Sequence, residues 1–131
     1  VAAITSPGRL LVHTQRDEAH PDYLVCKQIR SALEASHDAA GRAWEIVEMP
    51  ATATLTDAEG FVDYSYINHL VVNGGVIACG FSDPHDAGAA AILAEQYPGR
   101  KVVTVDARPL FERGGGIHCI TQNQPSARSA A

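Results

Sequence analysis

Cysteine, charge and long apolar runs are all scarce in this 131-residue chain, and each scarcity removes a class of protein. Three cysteines (Cys26, Cys79, Cys119) are an odd number, widely spaced and without a CxxC pair. That usage excludes a disulfide scaffold, is weak for zinc, and leads us to expect a reducing cytoplasm. No apolar stretch approaches the roughly 20 residues that span a bilayer, so no membrane partner is expected. Val1–Leu11 has no charged leading region and contains Pro7 and Gly8, unlike a signal peptide. The first residue is Val1 rather than Met, in what reads as the middle of a strand, so a piece of something larger is expected. Charged residues are only 19% of the chain against 46% hydrophobic, which excludes disorder over most of its length. Ten Lys and Arg against 15 acidic residues give a net charge of −5 with no basic stripe. Nucleic acid is therefore not an expected partner, whereas a cationic small molecule is compatible.

The patterning predicts one α/β domain over residues 1–125. Arg9–His13 reads as a strand after the Pro7-Gly8 turn. Tyr23, Cys26, Ile29 and Leu33 recur at helical spacing, which predicts an amphipathic helix from Pro21 to about Ser36. Trp44–Met49 alternates apolar and acidic residues like a half-buried strand, and Ala51–Gly60 reads as a loop. The first half is thus β-α-β. Beyond it, Tyr66–Val72 and Val76–Cys79 read as strands joined by an Asn73-Gly74-Gly75 hairpin. Asp83 and Pro84 open a helix running to about Tyr97, with Asp83 as N-cap and Asp86 in its first turn. Lys101–Val105 reads as a buried strand, a glycine-rich loop follows, and a short strand is expected near Ile117–Thr121. Residues 126–131 are expected to be a disordered tail.

The strongest local feature is Gly114-Gly115-Gly116-Ile117-His118-Cys119-Ile120-Thr121. Three glycines in a row are costly in chain entropy, so they mark backbone positions that side chains cannot occupy. A cysteine just after such a turn can be presented to a ligand as a reactive thiolate. The structural alternative is a buried core cysteine beside a plain loop, because free cysteine is among the most buried residue types. A phosphate cradle is disfavoured, since no Lys-Ser/Thr follows and GxGxxG is absent.

The stretch from Tyr66 to Pro125 resembles the C-terminal end of agmatine deiminases, members of the guanidine-modifying enzymes with the five-bladed pentein α/β-propeller. Tyr66-Ile67-Asn68 matches that family's Tyr-x-Asn, and Asn73-Gly74 its hairpin. Phe81-Ser82-Asp83-Pro84 stands where the family has Phe-Gly-Asp-Pro. Val105 to Arg108 matches Val-Asp-Ala-Arg, and Ile117 to Gln122 matches Ile-His-Cys-Ile-Thr-Gln. Val1 to Pro50 resembles the preceding blade less tightly. The resemblance implies about two consecutive blades, with blade-like halves at about 1–50 and 61–125 joined by the loop 51–60. Two further positions depart from the pattern. Gly116 stands where the family often has Asn, which bears on support of the nucleophile's turn. Cys79 replaces a common Pro and is expected to affect packing alone.

The resemblance further implies hydrolysis of agmatine, or a related guanidine, to N-carbamoylputrescine and ammonia in putrescine synthesis, with no metal or organic cofactor. Cys119 takes the nucleophile's position, with Gly114, Gly115 and Gly116 as its supporting turn. His118 is given at most a minor role, because neighbouring residues of an extended strand point to opposite faces. The family's general-acid His and guanidinium-gripping carboxylates belong to segments not in this chain, so the chain alone is expected to be inactive. Asp106 and Arg108 read as a structural ion pair, and Tyr23, Trp44 and Tyr66 as core. His13, His20, His37, His69 and His85 show no metal spacing. The alternatives are a non-catalytic binding or assembly module, or a cysteine hydrolase with a local His118–Cys119 dyad. Two uncovered blade flanks predict a homo-oligomer.

Overall fold

A computed structural model describes residues 1–124; the tail 126–131 lies outside the described residues. Two three-stranded sheets are each built from a hairpin followed by a helical crossover. In the first, β1 (Ala2–Ser6) pairs antiparallel with β2 (Arg9–Thr14). Helix α1 (Asp22–Glu34) then returns the chain to β3 (Glu45–Pro50), parallel to β2. In the second, β4 (Leu70–Val72) and β5 (Gly75–Gly80) form the hairpin. Helix α2 (Asp86–Gln96) leads to β6 (Lys101–Asp106), parallel to β5. A short helix α3 (Arg108–Phe111) precedes the glycine turn. The element order is thus β-β-α-β in both halves. The first-half expectation of β-α-β lacked β1, whose small residues and weak alternation give little strand signal.

The central strands carry the core. Leu11 on β2 and Val76 on β5 are fully buried, and they share one apolar cluster with Met49, Tyr66, Phe81, Leu93 and Phe111. At the β4–β5 turn, Gly74 sits at φ 73°, the left-handed conformation that the Asn-Gly signal predicts. Tyr66 is buried as expected, whereas Tyr23 and Trp44 are half-buried and spend their polar atoms on Glu18 and Ser36.

Four expectations are corrected. β6 is not buried on both faces: it forms an edge of its sheet, and Val103 and Val105 are 46% and 39% exposed. A Val-rich run reads the same whether one face or two are covered, so composition could not separate the cases. Tyr66–His69 turns rather than extends, leaving a strand of only three residues. No strand forms at 117–121, because the Cys119 and Thr121 N–H groups bond back to the Gly116 and His118 carbonyls. Helix α2 starts at Asp86 with His85 at its N-cap, so Asp83 is not the N-cap.

Asp83 instead latches the two halves together. Its carboxylate accepts the N–H groups of Ala53 (3.0 Å), Thr54 (2.8 Å) and His85 (2.9 Å). The His85 ring completes the latch through Nδ1 and the Ala51 carbonyl at 2.7 Å. Asp86 closes the same turn, accepting the Tyr66 hydroxyl (2.7 Å) and the N–H groups of Phe81 and Asp83. These bonds hold Ser82 between them at φ 54°, where the related motif carries Gly.

Burial pushes the Asp83 carboxyl up, but its three backbone donors outweigh that and hold it below its ordinary value of 3.8. A carboxyl depressed in the fold contributes stability that is complete above its unfolded value and lost as pH falls through the folded one. Urea midpoints should therefore fall on acidification below about pH 5, and fall less steeply in Asp83→Asn. At neutral pH the same variant should be less stable by about 1–3 kcal/mol.

Candidate active site

The three glycines after α3 each answer a different demand. Gly114 takes φ 90°. A Cβ on Gly115 would lie 2.8 Å from Cβ and 3.0 Å from Sγ of Cys119. One on Gly116 would lie 2.6 Å from Asn68 Cγ and 2.7 Å from Phe111 Cε2. The turn therefore wraps directly over the cysteine side chain, as the run of glycines implied. This geometry leaves no room for the Asn that the related pattern often carries at 116.

Asn68, from the turn before β4, organises what the glycines make room for. Its Nδ2 donates to Cys119 Sγ at 3.1 Å, and its Oδ1 accepts the His118 N–H at 2.7 Å. Its own carbonyl accepts the Cys79 thiol at 2.9 Å. The packing-only role expected for Cys79 is thus amended, since it holds the backbone of the residue that touches Cys119. Sequence reading placed Asn68 in a matched motif without a chemical role. The signal lay in a lone Asn beside an aromatic, which resembles any turn.

The three cysteines differ in environment. Cys26 and Cys79 are buried and Cys119 is exposed. Burial pushes the Cys79 thiol up. The Asn68 amide draws the Cys119 thiol below its ordinary value, with help from the Gly116 backbone, because a donor to sulfur favours thiolate. Cys119 opens into a cleft of about 430 Å³ whose walls include Asp63, Asn68, Phe111, Gly115 and His118.

His118 lines that cleft beside Cys119, although its expected placement on the opposite face of a strand fails because the segment turns. Its backbone N–H holds Asn68, and among the described residues its ring makes no hydrogen bond to Cys119. Asp106 and Arg108 form the expected ion pair, at 2.8 and 2.9 Å. Three of the other histidines serve the fold: His13 meets Ser65, His69 bridges the Tyr66 carbonyl and the Tyr97 hydroxyl, and His85 binds Ala51. Among the described residues no three His, Cys, Asp or Glu side chains converge as a metal-holding group.

A sequence profile of the Porphyromonas-type peptidyl-arginine deiminase family matches residues 1–125. The chain belongs to this family. Among relatives, a Streptomyces avermitilis protein provisionally named agmatine deiminase is 53% identical over 95% of this chain and 36% of its own length. The agmatine deiminase of Pseudomonas aeruginosa is 41% identical over 95% of this chain and 39% of its own length. Among solved structures, the agmatine deiminase of Enterococcus faecalis superposes with a TM-score of 0.85 at 27% identity, covering 95% of this chain and 39% of that one. A Porphyromonas gingivalis deiminase structure, at 24% identity and TM-score 0.89, shares the fold. The chain thus spans well under half the length of these members of the Porphyromonas-type family.

Removing the Asn68 amide should raise the Cys119 thiol toward its ordinary value. In Asn68→Ala, the pH profile of iodoacetamide alkylation at Cys119 should shift upward and the rate at neutral pH should fall several-fold.

Proposed function

We propose that this chain is the nucleophile-bearing portion of an agmatine deiminase, built as about two consecutive pentein blades. The observation that carries this reading is the exposed Cys119 thiol, held by the Asn68 amide at 3.1 Å within a glycine-walled cleft. A guanidinium carbon is a weak electrophile because its charge is delocalised, so a thiolate is the appropriate nucleophile. The sulfur adds to that carbon, and ammonia departs after taking a proton from an acid that this chain does not supply. Water then attacks the amidino-cysteine, releasing the ureido product (N-carbamoylputrescine from agmatine) and regenerating the thiol. No step calls for a metal or organic cofactor. The deiminase names of the relatives favour this reading over a non-catalytic assembly module.

Two measurements test it. A haloacetamidine probe should modify Cys119 on the order of tenfold or more faster than the buried Cys26 and Cys79, read by peptide mass spectrometry. Preferential labelling of either buried thiol would overturn the assignment. The isolated chain should release no ammonia from agmatine above background, since loss of a general acid alone costs about 10²–10⁴-fold. Turnover that vanishes in Cys119→Ala would instead revive a local dyad with His118.

The open apolar surface supports a further part of the reading. Ile4 on β1 is 66% exposed, and Val103 and Val105 on β6 join it in facing solvent. Copies of the chain should cover these faces, so light scattering of a dilute sample should give a homo-oligomer, most simply a dimer. A stable monomer of 13.9 kDa would contradict this.

A further inference from the structure

We infer that Asp63 is the residue of this chain that selects a cationic electrophile for Cys119, an inference that rests on the reading of Cys119 as the nucleophile. Asp63 sits in the segment between the loop 51–60 and Tyr66, is exposed, and lines the cleft into which Cys119 opens. It is the one carboxylate among that cleft's described lining residues. Most acidic groups near basic ones in this molecule are already paired: Glu45 with Arg9, Glu48 with Arg16 and Arg30, Asp38 with Arg42, and Asp106 with Arg108. Asp63 makes no ion pair or side-chain hydrogen bond among the described residues, so its charge is available to whatever enters.

Asp63 and Cys119 also sense one another. The carboxylate opposes ionisation of the thiol, against the larger favourable pull of Asn68. A free carboxylate in the same cleft as a nucleophilic sulfur is unhelpful for an anionic or neutral electrophile. For a guanidinium or amidinium the arrangement changes sign: the arriving cation meets the carboxylate and relieves its repulsion of the thiolate. Asn68 thus supplies the reactive form of sulfur, and Asp63 biases which electrophile reaches it.

The test compares two probes that alkylate Cys119 by the same displacement of chloride, cationic 2-chloroacetamidine and neutral 2-chloroacetamide. The full 131-residue chain is used, with the site of modification read by mass spectrometry. In the wild type the cationic probe should be preferred, and Asp63→Asn should lower the cationic-to-neutral rate ratio by about fivefold, as expected for one solvent-accessible charge pair. Asp63→Glu should keep the preference. Glu95→Gln, which removes an equal charge from the exposed face of α2, should leave the ratio unchanged. Raising the salt should erode the wild-type ratio, because the pairing is screened. A ratio that is the same in Asp63→Asn as in the wild type, or one insensitive to salt, overturns the role of Asp63 while leaving the nucleophile intact. Failure of Cys119 to react with either probe overturns the nucleophile itself.

Discussion

The carboxamide and carbonyl of Asn68 join three stretches of chain that would otherwise have no reason to meet. The Cys119 sulfur and the His118 backbone lie 51 and 50 residues away in sequence, and the Cys79 thiol 11. Each bond uses a different part of the same residue: the amide nitrogen, the amide oxygen and the backbone carbonyl. Gly116 exists as glycine because the Asn68 side chain occupies the space its Cβ would need. The position of Asn68 is in turn fixed by β5, through Cys79, and by the buried Tyr66 two residues before it. The reactive thiol therefore depends on the packing of the second sheet, although it stands on an exposed turn.

That second sheet is itself oriented by the first. Asp83 and His85 reach across to the loop after β3, and Leu11 and Met49 from the first half enter the same apolar cluster as Tyr66 and Phe81. Two units of identical element order thus share one core and one polar latch. The latch lies at the start of α2, where backbone N–H groups would otherwise go unsatisfied, so it serves the helix terminus and the junction together.

Much of this was legible from residue patterns. Tyr23, Cys26, Ile29 and Leu33 located α1 because helical spacing survives even where burial is shallow. Asn73-Gly74 located the second hairpin because few residue pairs satisfy a tight turn. The glycine run and Cys119 located the cleft, since three glycines have little purpose except close approach. What failed did so for physical reasons. Ile117–Thr121 has strand-like composition, but its N–H groups find partners three residues back, and composition carries no information about that choice. The exposure of Val103 and Val105 reflects what stands beside β6, which no local pattern records. Asn68 and Asp63 acquire meaning only once residues some fifty positions apart are brought together. The glycine run pointed to Cys119, while Asn68 and Asp63 stayed hidden.

The long separation between Asn68 and Cys119 has a consequence for how the chain acquires its chemistry. In the unfolded polymer Cys119 is an ordinary thiol between His118 and Ile120, without the Asn68 donor, and it is mostly protonated at neutral pH. The donor that favours its thiolate arrives only with closure of a loop of about fifty residues, a non-local contact whose chain entropy the rest of the fold must offset. A molecule in which this loop opens loses the Asn68 donor, and its Cys119 thiol returns toward its ordinary range. The lowered thiol is therefore a property of the closed fold and not of the residues next to Cys119 in sequence.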